Sequence, residues 1–184
     1  HQIDASLRAL RTDVIDLYYL HHCYFGDQGE YLDDAIAVLH QARDAGKIRF
    51  IGLSDWYSEK IVRYVARVDP DVVQPCRSVV NNTYASSGLK AWCEAHDVGV
   101  AFFSTIRHGL LLGKYAAAAQ FEAGDFRSGD AWFRDQAVLD ALALERDALA
   151  DRFGAAPEPV LRALTTSVLA DCPTGCTLLG MRNP

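Results

Sequence analysis

The stretch Asp16-Leu-Tyr-Tyr-Leu-His21 is the most informative segment of the chain, because in it a short apolar run ends abruptly in a histidine. Near-continuous apolar runs of this kind suit a strand of a parallel sheet, which is covered on both faces. An imidazole at the carboxyl end of such a strand is placed for chemistry, since the functional groups of a parallel barrel sit at that edge. The segment therefore predicts a buried parallel strand that ends at a functional rim.

Four later segments repeat this design, each an apolar strand whose last residues are polar. They lie at 48–56, 72–75, 98–104 and 176–180, and helical patterns lie between successive strands. This alternation predicts an α/β protein with a parallel sheet under helical cover. An open doubly wound sheet would show the same alternation, but no Gly-x-Gly-x-x-Gly follows any strand, so a Rossmann domain has no support.

Periodicity and punctuation residues give the expected bounds of the elements. We expect strands at 14–20, 48–53, 71–74, 98–103 and 177–179, and helices at 3–10, 31–45, 58–68, 88–96, 131–153 and 159–169. Ser58 is the predicted N-cap of its helix. A glycine-bearing insertion at 105–130 has the length typical of a functional lid or a disordered loop.

Composition excludes several classes of function. The net charge is −6 and no basic cluster occurs, which argues against nucleic acid as a partner. No apolar run is long enough to cross a membrane. Five scattered cysteines are an odd number in a chain too large to be a disulfide scaffold, so we expect a reducing cytoplasm. Cys172 and Cys176 have no second ligand pair at matching spacing, and no metal site is expected.

Six short motifs in a fixed order carry a family resemblance. They are Leu20-His21, Gly46-Lys-Ile-Arg-Phe-Ile-Gly-Leu-Ser54, Val72-Val-Gln-Pro75, Gly109-Leu-Leu-Leu-Gly-Lys-Tyr115, Gly124-Asp-Phe-Arg127 and Gly180-Met-Arg182. Together they resemble the aldo-keto reductase superfamily. The resemblance implies a (β/α)8 TIM barrel of which five of eight strands are present. A complete barrel takes about 250 residues, so we expect residues 1–184 to be a single-domain fragment that lacks the first three strands and the extreme carboxyl terminus.

The resemblance also implies a catalytic role for His21. In this family the histidine at that strand end orients the substrate carbonyl, whereas the tyrosine, lysine and aspartate that complete the tetrad would precede residue 1. Tyr19 lies two residues deeper than His21, about 7 Å down the strand, and we expect it to fill the barrel core.

Three strand-end residues match the family positions that hold the nicotinamide carboxamide, namely Ser54, Asp55 and Gln74. Serine and glutamine together supply both donors and acceptors for an amide. Asp55 replaces the usual asparagine, so it has lost an N–H donor and could instead cap the following turn. Phe103 stands where a tyrosine ring commonly stacks on the nicotinamide, and stacking needs only the ring.

The remaining matches concern the cofactor phosphates. Backbone N–H groups and a lysine suit a pyrophosphate, and the matching loop runs from Ser104 through Ile106 to Gly109, with Leu111, Gly113 and Lys114. Thr105 replaces a common proline. Gly180 and Arg182 resemble the turn near the adenosine phosphate, where an arginine can pair with a 2′-phosphate. That position favours NADP(H) over NAD.

The implied function is oxidoreduction of a small carbonyl or alcohol by hydride transfer with NADPH, and residues 1–184 alone should be inactive. An alternative is a non-catalytic NADP(H)-binding redox sensor or regulatory subunit of the same fold. A barrel enzyme of unrelated chemistry is a third reading, because fold does not fix function. The sequence leaves the oligomeric state and the substrate's identity open.

Overall fold

A computed structural model describes residues 2–154 and 158–180 of the chain. Five parallel strands form one sheet in which each strand pairs with its neighbour in the sequence, so the spatial order is β1-β2-β3-β4-β5. The strands are β1 (Ile15–His21), β2 (Ile48–Asp55), β3 (Val72–Pro75), β4 (Gly99–Phe102) and β5 (Cys176–Thr177). The predicted parallel α/β sheet is therefore confirmed.

Helices precede the first strand and separate successive strands, with two α-helices after β3 and two after β4. They are α1 (Gln2–Leu10), α2 (Leu32–Asp44), α3 (Ser58–Val68), α4 (Thr83–Ser86), α5 (Leu89–His96), α6 (Gln136–Phe153) and α7 (Pro159–Leu169). Short 3-10 helices occur at Arg107–Leu112, Phe126–Gly129 and Ala131–Phe133. Within the described ranges, no helix combines the length and apolar character that crossing a bilayer requires.

One face of the sheet packs against helices and forms the main core. Ile51 and Leu53 of β2 are buried there with Val73 of β3. Helix α3 contributes a stripe at spacings of three and four residues, which includes Ile61 and Val65, and this spacing keeps one face of a helix on the sheet. The opposite face carries Leu17, Tyr19, Phe50 and Gln74 by strand alternation.

The register of the strands brings their polar ends together. His21 pairs with Ser54 across β1 and β2, and Ser54 pairs with Gln74 across β2 and β3. The carboxyl ends of three neighbouring strands therefore meet at one rim, as the sequence predicts.

The segment after β4 has a small core of its own. Leu110, Phe133 and Leu139 are buried together, and their packing holds together the segment that contains the three 3-10 helices. Arg107 pairs with Asp130 at 2.7 Å and stacks on a tryptophan ring. The predicted insertion at 105–130 is thus a packed segment with two 3-10 turns.

Several predicted details are wrong at the level of single elements. Ser58 is the first residue of α3 and not its N-cap, because its hydroxyl lies 3.3 Å from that of Thr83 in a tertiary contact. The helix predicted at 131–153 is divided at Asp135, whose side chain accepts from the N–H groups of Ala137 and Val138 and so begins a new helix. The last strand covers Cys176–Thr177 and not 177–179.

Candidate functional site

The side chains of Ser54 and Gln74 form the centre of the strand-end rim. The Ser54 hydroxyl donates toward the Gln74 backbone oxygen at 3.0 Å and toward its side-chain Oε1 at 3.2 Å. Ser54 is buried, and Gln74 is partly buried beside it. Oε1 keeps a second lone pair and the amide nitrogen keeps N–H groups, so this pair can still bind another amide.

The two consecutive histidines occupy the end of β1. His21 is exposed at the rim, and its ring centroid lies 4.2 Å from that of His22. The chain turns sharply at His22, whose φ is 73°, while its N–H donates to the Ser54 carbonyl at 2.8 Å. The histidine pair is therefore fixed to the end of β2. His21 is the last residue of the strand, whereas His22 lies in the turn that follows it.

Asp55 is buried, and both of its carboxylate oxygens are engaged by the backbone. One oxygen accepts from the Cys23 N–H at 2.8 Å, and the other accepts from the Tyr57 N–H at 2.9 Å. His22 Nδ1 lies 3.8 Å from the same carboxylate. Burial, together with the nearby Asp55 charge, raises the pKa of the Cys23 thiol to about 12. The carboxylate thus joins the loops that follow β1 and β2.

Phe103 lies where β4 ends, next to the strand end of β3. Its N–H donates to the Pro75 carbonyl at 3.2 Å, and its carbonyl accepts from the Arg77 N–H at 3.1 Å. The Trp56 ring packs edge-on against the Phe103 ring with 4.8 Å between centroids. An aromatic surface therefore continues the rim beyond Gln74.

Beyond Phe103 a cleft of about 880 Å³ opens at the ends of β4 and β5. Its walls contain most of the residues predicted to meet the cofactor phosphates. The lining residues are Ser104, Thr105, Ile106, His108, Gly109, Leu112, Gly113, Lys114, Gly124, Asp125, Arg127, Leu178 and Gly180. The cleft is thus continuous with the strand-end rim along the chain.

The backbone of this cleft has the character of an anion site. Ser104 has a φ of 61°, and Gly109 and Gly113 also have positive φ values. Among the described residues, the N–H groups of Ser104, Thr105 and Ile106 have no hydrogen-bond acceptor. Successive backbone N–H groups with alternating handedness bind anions. The Thr105 hydroxyl contacts that of Thr177, which ties this turn to β5.

Charged side chains around the cleft differ in how fully they are paired. Lys114 is exposed and has no carboxylate partner in the described part of the chain. Arg127 pairs with Asp125 and donates to the Tyr115 hydroxyl at 2.9 Å; this guanidinium holds the Asp125 pKa at about 2. Burial and the two nearby arginines lower the pKa of His108. Lys114 is therefore the cation with most freedom to meet an added anion.

The structure brings together most of the predicted site residues. Leu111 is an exception, because its side chain is buried and its N–H donates to the Ile106 carbonyl at 3.3 Å. Arg182 lies outside the described residues. Sequence reasoning did not assign Trp56 or Arg127 to the site, although Arg127 belongs to one of the motifs that carried the family resemblance. His108 falls within the loop 104–109 that the resemblance implies around the pyrophosphate, and it lines the cleft.

The chain is similar to known proteins over most of its length. The chain matches the aldo/keto reductase family model over residues 1–148. It is 31% identical over 127 residues to the aldo-keto reductase yakc [NADP(+)] of Schizosaccharomyces pombe, covering 68% of this chain and 36% of that one. It is 26% identical over 141 residues to the NADH-specific methylglyoxal reductase of Escherichia coli, covering 77% and 42% respectively.

The fold has a similar relative among solved structures. The glycerol dehydrogenase AKR11B4 from Gluconobacter oxydans superposes with a TM-score of 0.74 at 25% identity, over 96% of this chain and 53% of that chain. The chain thus spans about two fifths of the length of the curated relatives and about half of this structure. The parallel sheet corresponds to part of a (β/α)8 barrel, which confirms the predicted fold class. On these grounds the chain belongs to the aldo-keto reductase family.

Proposed function

We propose that this chain contributes the nicotinamide-binding rim and the carbonyl-orienting histidine of an NADP(H)-dependent oxidoreductase of small carbonyl or alcohol substrates. One observation carries the proposal. A hydrogen-bonded serine–glutamine pair, an aromatic ring and a cleft whose described residues include unpaired backbone N–H groups follow one another along the ends of β2, β3 and β4. These are, in order, the chemistries of a carboxamide, a nicotinamide ring and a pyrophosphate.

Each group of residues would do a separate part of the work. Ser54 and Gln74 would hold the carboxamide, and Phe103 would cover one face of the ring. The N–H groups of Ser104 to Ile106 and the Lys114 ammonium would neutralise the phosphates. Asp55 contributes indirectly in this scheme, since its oxygens already accept from two backbone N–H groups. A bound nicotinamide supplies the hydride.

His21 would orient the substrate at the same rim. Its register opposite Ser54 puts the imidazole beside the strand end that would hold the nicotinamide, so a carbonyl bound between them meets both groups. An imidazole N–H donated to that oxygen stabilises the negative charge that develops there during reduction. Cys23 is not suited to act as a nucleophile, because its raised pKa keeps it a neutral thiol.

The choice of NADP(H) over NAD rests on Arg182, because the two cofactors share the pyrophosphate and differ in the 2′-phosphate. The relatives use both cofactors by name: NADP(+) for the Schizosaccharomyces pombe protein and NADH for the Escherichia coli one.

A pair of alanine variants separates the proposed roles. In the native polypeptide that contains residues 1–184, His21→Ala should reduce the turnover of small aldehydes with little change in NADPH affinity. Gln74→Ala should instead weaken NADPH binding, measured by calorimetry. Full turnover in the His21 variant, or unchanged NADPH affinity in the Gln74 variant, would contradict the corresponding assignment.

A further inference from the structure

Trp56 connects two parts of the rim through its side chain. It follows directly on β2 and is 38% exposed. Its ring centroid lies 4.8 Å from that of Phe103, with 77° between the ring planes, and 5.9 Å from that of His108. His108 in turn lines the cleft. The indole therefore lies between the aromatic ring at the end of β4 and a wall of the cleft.

A buried carboxylate fixes the turn that carries Trp56. One oxygen of Asp55 accepts from the Tyr57 N–H at 2.9 Å, which closes a turn around the residue between them. The other oxygen accepts from the Cys23 N–H at 2.8 Å, so the carboxylate itself is held in place. The backbone at Trp56 therefore has a defined conformation, from which the indole extends to Phe103.

His108 is held by the backbone of its own turn. The N–H groups of its two neighbours, Arg107 and Gly109, donate to carbonyls of the same turn at 2.9 and 3.0 Å. Because these hydrogen bonds lie within the turn, they do not depend on Trp56. We therefore expect the turn to keep its shape when the indole is removed.

The Phe103 ring is less constrained than its backbone. Hydrogen bonds to Pro75 and Arg77 fix the main chain at the end of β4, whereas the side chain is only partly buried. Backbone hydrogen bonds leave open the staggered positions of χ1 and the broad torsion χ2 of a phenylalanine. A ring that meets Phe103 at 77° excludes the orientations in which the two rings would overlap. Trp56 therefore limits the planes that the Phe103 ring can adopt.

We propose that Trp56 is a positioning residue that holds the Phe103 ring in the plane on which the nicotinamide stacks. Stacking between aromatic rings depends on their relative orientation, so a phenylalanine that samples several planes spends only part of its time in the favourable one. The inference rests on the proposed function, and it adds a residue that acts on the cofactor through Phe103.

A double-mutant cycle in the native polypeptide that contains residues 1–184 tests this inference. Calorimetry measures the NADPH affinity of Trp56→Leu, of Phe103→Leu and of the double variant. Trp56→Leu should weaken NADPH binding by about two- to ten-fold, because part of the stacking on Phe103 is lost. In the Phe103→Leu background the same substitution should weaken it no further, since Trp56 then has no ring to position.

A second ligand and a control variant show where the effect arises. The ligand is 2′-phospho-ADP-ribose, which lacks the nicotinamide. Its affinity should be the same in Trp56→Leu as in the unmodified protein, because the turn at His108 keeps its own hydrogen bonds. The control is Trp92→Leu, which removes an indole stacked on His96 of α5 at 4.3 Å and should change neither affinity.

The outcomes separate this inference from the proposed function. Additive losses in the double variant would show that Trp56 acts on the cofactor without Phe103, and they would overturn the inference alone. Unchanged NADPH affinity in Trp56→Leu, or an equal loss for both ligands, would do the same. Unchanged NADPH affinity in Phe103→Leu would overturn the proposed stacking role of Phe103 and the inference with it. Failure of the unmodified protein to bind NADPH would overturn both.

Discussion

At the scale of single residues, Asp55 shows how one changed side chain can alter the role of a position. Its two oxygens accept from N–H groups of two different loops, and an asparagine offers only one oxygen for that purpose. In Asp55→Asn, one of the two oxygens that accept from a backbone N–H is replaced by an amide NH2 group, so that two hydrogen-bond donors face each other. We expect a loss of about 1–3 kcal/mol in the free energy of unfolding, the cost of a buried unsatisfied group.

Urea unfolding measures this loss, and Asp16→Asn is the matched control. Asp16 pairs with Arg49 at 2.7 Å, but both side chains are mostly exposed, so that change should cost less than about 1 kcal/mol. Equal destabilisation by the two substitutions would show that the buried hydrogen bonds of Asp55 stabilise the protein no more than the exposed ion pair of Asp16.

Arg182 is the residue on which the proposed preference for NADP(H) depends. A charge-assisted pair with a 2′-phosphate contributes roughly 1.5–3 kcal/mol. Arg182→Ala in the native polypeptide should therefore weaken NADPH by about ten-fold or more relative to NADH. Calorimetric titration with both cofactors checks this, and equal losses for the two would show that Arg182 does not read that phosphate.

At the scale of elements, the segment after β4 is held by contacts between its own parts. Arg127 pairs with Asp125 and also reaches Tyr115 across the segment, while its guanidinium lies 4.4 Å from the Phe121 ring centroid. Arg127→Ala should speed hydrogen exchange at 115–128 and weaken NADPH binding. Arg134→Ala, an exposed arginine further along, should do neither.

The same pair has a defined response to acid. The Asp125 pKa of about 2 lies below the ordinary value of 3.8. The stabilisation of this segment by the Asp125–Arg127 pair is therefore complete above pH 3.8 and is lost only as the pH falls through about 2. Exchange protection at 115–128, corrected for intrinsic rates, should therefore be the same at neutral and mildly acidic pH. Protection that disappears on mild acidification would contradict the assignment.

Elements differ in how far the sequence could predict them. The ends of β1, β2 and β3 follow from local patterns, because an apolar run that stops at a polar residue marks a strand end. The role of Ser58 does not follow, since its hydroxyl contacts Thr83, a residue 25 positions away. Likewise Tyr19 is recognisable as inward-facing from alternation, but the position of its ring over Gly52 depends on a residue of the neighbouring strand, which no local pattern identifies.

At the scale of the whole molecule, the sheet has two edges in the described structure, at β1 and at β5. Its face opposite the helices also carries exposed apolar surface: the Phe50 side chain is 51% exposed beside Leu17 and Tyr19. Unpaired strand edges promote association between chains, and contiguous apolar patches do the same. A polypeptide of residues 1–184 should therefore associate or remain loosely packed, and it should show no reductase activity.

Light scattering coupled to gel filtration measures the association of this polypeptide, and thermal unfolding measures how tightly it is packed. Phe50→Lys should shift the population toward monomer, because it places a charge on the open face. Leu144→Lys is the control, since Leu144 is 72% exposed on α6, away from that face.

NADPH oxidation with small aldehydes tests the predicted absence of reductase activity. His21 has no tyrosine–lysine pair assigned to it within residues 1–184, so turnover by this polypeptide, like a monomer with one sharp unfolding transition, would contradict the prediction.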